Sequence, residues 1–185
     1  MGKMKLVSSK RLIETPIFSV SDDIAVDPEG FEIRRLIVRH GGSAVIMPID
    51  EKKRILLVRQ YRLPARDFLW ELPAGRVDEG ETVLQAAKRE LREETGLRAR
   101  RLTKLLSFYV SPGFLEEKMT IFAAEGLSQG ESEWMEDERI EMKWVAAAEL
   151  DRMIASGKII DAKTIAGFLA WKRYGGAAKG AKPSK

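Results

Sequence analysis

Ser43–Ile49 and Arg54–Gln60 are nearly continuous apolar runs joined by the polar Asp50-Glu51-Lys52-Lys53, the pattern of a hairpin of buried strands. Ahead of them, Pro16–Val20 and Phe31–Val38 read as short extended pieces, separated by Asp22-Asp23 and Asp27-Pro28-Glu29-Gly30, both read as turn-rich. Phe68–Leu72 predicts a strand that runs into a turn at Pro73-Ala74-Gly75. Val83, Leu84, Ala87 and Leu91 then recur at helical spacing, so a helix is expected from about Glu81 or Thr82 to a stop at Gly96. Leu102–Val110, Lys118–Glu125 and Ile140–Val145 read as strands, the first two flanking a Ser111-Pro112-Gly113 turn. Ala146–Ala155 and Thr164–Tyr174 read as helices. Strands and helices mix without a regular βαβ rhythm, which predicts an α/β (α+β) fold.

Composition narrows the chemistry. The 185 residues suit one substantial core. No cysteine excludes disulfides, thiolate nucleophiles and Cys-ligated zinc, and the single histidine, His40, excludes multi-His metal centres. The net charge of +4 suggests an anionic partner, but three of the excess positives are Lys179, Lys182 and Lys185 in a tail without acids. The near-neutral remainder predicts no specific nucleic-acid face. No run approaches a membrane span, and the lysines of the first residues precede no apolar h-region, so a soluble cytoplasmic protein is expected.

The acids are arranged more tellingly. On a helix, Glu90, Glu93 and Glu94 share an arc of about 100°, with Leu91, Ala87 and Leu84 on the adjoining arc, free to bury. Like charges at this spacing cost a helix a few tenths of a kcal/mol per pair. A divalent cation over that face gives a reason to keep them, and oxygen-only ligation suits Mg²⁺ or Mn²⁺. Arg89, at i+4 from Glu93, is placed to orient that carboxylate, and Gly75 permits close backbone approach just before the helix.

Residues 75–97 resemble the Nudix box, G-x5-E-x7-R-E-U-x-E-E-x-G-U with U aliphatic, at every fixed position: Gly75, Glu81, Arg89, Glu90, Leu91, Glu93, Glu94, Gly96 and Leu97. The resemblance implies the Nudix fold, a mixed β-sheet sandwiched between helices, and metal-dependent hydrolysis of a nucleoside diphosphate linked to another group. Gln60-Tyr61-Arg62, Trp70-Glu71-Leu72-Pro73-Ala74-Gly75, Pro112 and Gly157-Lys-Ile-Ile-Asp161-Ala-Lys-Thr are similar to the ADP-ribose pyrophosphatase branch. By that resemblance Glu90 and Glu94 are the principal metal ligands, with Glu93 a further ligand or close support and the Ala74 carbonyl a backbone ligand. Arg62, with Arg59 beside it, would hold the pyrophosphate. Tyr61 and Trp70 would stack on the base or the partner subunit, or else pack in the core. Glu71 would bond the base or brace its loop, and Pro112 would shape a loop over the terminal ribose. The general base is expected in the acidic segment 131–139, at Glu136 or Glu138, with Glu133 ranked below them.

The implied substrate is ADP-ribose, split to AMP and ribose 5-phosphate. A sugar-nucleotide pyrophosphatase, a dinucleotide hydrolase and a non-hydrolytic nucleotide sensor are the alternatives. The resemblance further implies a homodimer in which N-terminal strands cross to the partner. Residues 1–42 are thus expected to form an antiparallel strand extension for dimerisation, 43–174 the hydrolase domain, and 175–185 a disordered basic tail.

Overall fold

The structure is a computed structural model that describes residues 2–130 and 140–174. It is α+β. In chain order the elements are β1 (Lys5–Glu14), β2 (Ser19–Val26), β3 (Glu32–Arg39), β4 (Ser43–Pro48), β5 (Arg54–Arg62), β6 (Asp67–Glu71), β7 (Ala74–Arg76), α1 (Val83–Thr95), β8 (Leu97–Tyr109), β9 (Lys118–Gln129), β10 (Glu141–Ala146), α2 (Ala147–Ala155) and α3 (Ala162–Tyr174). They form three sheets, ordered β1-β2-β3, β10-β5-β6 and β7-β4-β9-β8. The chain divides into two compact units, Met1–Gly42 with Phe108–Met119, and Ser43–Ser107 with Thr120–Lys185.

In the first unit, β2 pairs antiparallel with both β1 and β3. Asp22 and Asp23, expected in a turn, lie within β2. Their charges are matched by residues distant in sequence: Arg34 grips Asp22, with Nε 2.9 Å from Oδ1, while Asp23 accepts from Ser9 at 2.7 Å and pairs with Arg39. Such cross-strand partners stabilise a sheet position that two adjacent acids would otherwise disfavour. Pro16 falls in the turn between β1 and β2 rather than in a strand, and β1 itself lies where no strand is expected. His40 lies just past the end of β3, its Nδ1 accepting from the Gly42 N–H at 3.1 Å.

The second unit holds the core. β4 is buried at every residue, as its apolar run predicts. α1 packs Ala86, Ala87 and Leu91 against Ala44, Ile46, Phe122 and Ala124. Gly167 of α3 brings its backbone so close to Leu72 and Ile121 that a Cβ there would lie 3.1 and 3.2 Å from their Cδ1 atoms. Because Ile121 alternates with Phe122 and Ala124 along β9, α1 and α3 cover opposite faces of the β4–β9 sheet. Leu84, expected to bury, is 40% exposed in the first turn of α1, and Ala86 takes its place inside. Pro73-Ala74-Gly75 is only partly a turn, since Ala74 and Gly75 open β7, antiparallel to β4. Among the described residues no helix is long and apolar enough to cross a membrane.

Candidate active site

α1 is set by its ends. Thr82 and Gln85 form a capping box: the Gln85 N–H donates to Thr82 Oγ1 at 3.3 Å, and the Thr82 N–H donates to Gln85 Oε1 at 2.9 Å. At the other end Gly96, with φ +67°, adopts the left-handed conformation that glycine tolerates best, and its N–H closes on the Arg92 carbonyl at 2.8 Å. These caps fix the register of the acidic face.

Arg89 organises that face. Nε and Nη2 grip the two oxygens of Glu81 at 3.1 and 2.9 Å. Nη1 donates to Glu90 at 2.6 Å and Glu93 at 3.1 Å, and Nη2 also reaches the Arg76 carbonyl at 2.9 Å. The planar guanidinium suits this forked task, and a lysine could not reproduce it. The contact with Glu81 does most to raise the Arg89 pKa, and it holds the Glu81 carboxyl below its usual range.

Glu90 and Glu94 converge on one stretch of backbone. Glu94 Oε2 accepts from the Ala74 N–H at 3.2 Å, and the Glu90 carboxyl lies where a Cβ on Gly75 would be, 2.0 Å from its carboxyl carbon. The Glu90 side chain is only 12% exposed. Burial raises its pKa, the nearby Glu93 and Asp78 charges raise it further, and the bond from Arg89 only partly offsets them. Among the described residues no three acidic or imidazole groups form a ready-made cage. Even so, the donors are all hard oxygens, they meet at Ala74–Gly75, and the ionised form of Glu90 is under-compensated. A divalent cation fits that deficit.

Arg62, at the end of β5, forks onto Glu71 of β6 with Nε–Oε1 2.7 Å and Nη2–Oε2 2.8 Å. Glu71, 1% exposed, also pairs with Lys163. Arg59 donates to Glu141 at 3.2 Å and lies over the rings of Phe68 and Trp70, while Tyr61 meets Phe68 edge-on at 5.3 Å. Tyr61, Trp70 and Arg59 are thus neighbours on one hairpin, paired in register as Tyr61↔Phe68 and Arg59↔Trp70. Pro112 belongs to the other unit, in a turn where the Phe114 N–H donates to the Ser111 carbonyl at 3.2 Å. Glu133, Glu136 and Glu138 lie outside the described residues.

Asp161, Lys163 and Thr164 carry no expected role, yet they brace the site's backbone. Asp161 caps α3 by accepting from the Thr164 N–H at 2.9 Å, and the Thr164 hydroxyl accepts from the Leu72 N–H at 2.8 Å. An acid three residues before a threonine at a helix start is a readable cap signal. The lysine's inward turn is not readable, because helical lysines usually face solvent.

The NUDIX domain family model matches residues 39–168. This chain belongs to the NUDIX domain family. Across 168 residues, covering 87% of the chain and 91% of the relative, it is 37% identical to the ADP-ribose pyrophosphatase of Bacillus subtilis (strain 168). The ADP-ribose pyrophosphatase of Mycobacterium tuberculosis is also 37% identical, with 89% and 81% covered. The methanol dehydrogenase activator of Bacillus methanolicus is 33% identical, with 89% and 92% covered. A crystal structure of an ADP compounds hydrolase shares the fold at a TM-score of 0.79, with 23% identity over 94% of this chain and 95% of that one. NUDIX hydrolases generally use divalent metal ions, in keeping with the oxygen donors gathered here.

Proposed function

We propose that this NUDIX hydrolase cleaves ADP-ribose to AMP and ribose 5-phosphate. Water adds to one phosphorus, and the bridging oxygen leaves with the other phosphate. The observation that carries the reading is the meeting of Glu90 and Glu94 at Ala74–Gly75, in a chain 37% identical to ADP-ribose pyrophosphatases over most of its length.

Glu90 and Glu94, with Glu93 and the Ala74 carbonyl, hold Mg²⁺, and Mn²⁺ suits the same donors. A bound divalent ion supplies neutralisation of phosphate charge and acidification of water. Arg89 and Glu81 keep the carboxylates in register. Arg62 and Arg59 grip the pyrophosphate, and Tyr61 and Trp70 offer flat surfaces to the base. Glu136 or Glu138 takes the proton from water.

A turnover screen against ADP-ribose, GDP-mannose, UDP-glucose, NADH and diadenosine polyphosphates with Mg²⁺ tests the substrate. AMP released from ADP-ribose is the expected product; its absence while another substrate is cleaved refutes the reading. Glu90→Gln and Glu94→Gln should each lose at least about a hundredfold in metal-dependent kcat while retaining the fold by circular dichroism. Near-normal turnover in either variant would mean that the metal lies elsewhere.

A further inference from the structure

Lys163 is a lysine on the buried side of α3, its side chain 8% exposed. Burying an ammonium is costly unless it is paired, and here carboxylates meet it from two directions. It donates to Asp161 Oδ1 at 2.9 Å and pairs with Glu71 through Oε2. Glu71 passes the constraint on, since its two oxygens also receive Nε and Nη2 of Arg62 at 2.7 and 2.8 Å. The result is a closed cluster of two cations and two carboxylates.

A guanidinium held along one edge by a carboxylate has its plane fixed and its remaining donors aimed. Arg62 is 40% exposed, and its Nη1 has no hydrogen-bond partner among the described residues. The guanidinium also lies within electrostatic reach of Glu94, the carboxylate that accepts from the Ala74 N–H, which puts Arg62 in the neighbourhood of the candidate metal site. We infer that Lys163 is a positioning residue for substrate phosphate: by holding Glu71 in place, it locks the Arg62 fork so that the free edge of the guanidinium is preset for the anion. That the anion is a pyrophosphate rests on the proposed function; the locking of Arg62 does not.

Without Lys163, Glu71 faces Asp161 with no cation between them and swings or takes up a proton, and Arg62 loses its fixed plane. Lys163→Met, nearly isosteric and uncharged, should raise KM for ADP-ribose roughly tenfold with kcat within about twofold, as expected for lost binding that is uniform along the reaction. In an Arg62→Ala background the same substitution should change KM less than about twofold, because the residue through which it acts is gone. An unchanged KM, a full KM effect that persists in the Arg62→Ala background, or a fall in kcat alone would overturn the inference.

A readout independent of turnover comes from nitrogen-15 NMR of the arginine Nε–H groups, with Arg62 assigned by its absence in Arg62→Lys. Slow solvent exchange of that proton is expected in the wild type, and exchange at least about tenfold faster in Lys163→Met. Equal exchange in both would overturn the lock even if the wild type cleaves no ADP-ribose, an outcome that by itself would remove only the proposed substrate. If Lys163→Met does not fold, Glu71→Gln probes the same link. It leaves one acceptor oxygen for Arg62 and should speed the Nε–H exchange likewise, and unchanged exchange there would overturn the inference.

Discussion

Gly75 shows how one missing methyl group can serve chemistry rather than folding. A Cβ there would lie 2.0 Å from the Glu90 carboxyl carbon, and the atoms it would displace are the tip of a flexible side chain rather than backbone. Gly75→Ala should therefore cost the fold little, since the carboxyl can swing aside, while moving the proposed metal ligand by an ångström or more. Displacements of that size at reacting centres cost on the order of a hundredfold in rate. The expected outcome is a melting temperature within a few degrees of wild type and a loss of about a hundredfold in Mg²⁺-dependent kcat/KM. A variant that melts early but turns over normally would show that the glycine serves only the β7 backbone. The close approach allowed by Gly75 was legible in the sequence; that Glu90 is its neighbour required the antiparallel pairing of β7 with β4.

At the scale of elements, two glutamates have opposite effects on stability. Burial alone would raise the Glu71 pKa, but Arg62 and Lys163 outweigh it and hold the carboxyl below its ordinary value of 4.5. Its ion pairs therefore stabilise the fold above pH 4.5, and that stability is lost as pH falls through the folded value. Glu90 is raised instead, so its ionisation costs the folded protein free energy at neutral pH, a cost that fades as pH falls toward 4.5. In chelator at pH 7.5, Glu71→Gln should lower the melting temperature by roughly 5–15 °C, because it leaves the buried Lys163 ammonium under-compensated. Glu90→Gln should leave it unchanged or higher. Calorimetry across pH should also show the gap between wild type and Glu71→Gln narrowing below pH 4.5; a constant gap would contradict the assignment. The elements themselves were unevenly legible. The buried runs of β4 and β5, and α1 with its stop at Gly96, could be read because local pattern and tertiary fate agree. β1 and the Asp22-Asp23 part of β2 could not, because their support comes from partners such as Arg34 and Arg39, many residues away. The Lys163–Glu71 pair, 92 residues apart, was hidden for the same reason.

For the whole molecule, the N-terminal unit raises a question of association. β1 is an edge strand of the β1-β2-β3 sheet and is exposed at all ten residues, with Leu6, Val7, Leu12 and Ile13 each about half exposed. Ile17, Phe18, Phe31 and Leu36 of the same unit add further exposed apolar surface. A long apolar edge invites pairing with another chain, and covering it in a defined dimer is one way to manage that hazard. We propose that residues 1–42 join two copies of this chain, leaving 43–174 as the hydrolase domain. Multi-angle light scattering at micromolar concentration should then give twice the chain mass. The paired substitutions Leu6→Asp and Ile13→Asp should return the mass to that of one chain without altering the circular dichroism spectrum, since both positions already face water in the single chain. A wild type that runs as a monomer at micromolar concentration would refute the dimer. A dimer that survives both aspartates would move the interface away from β1.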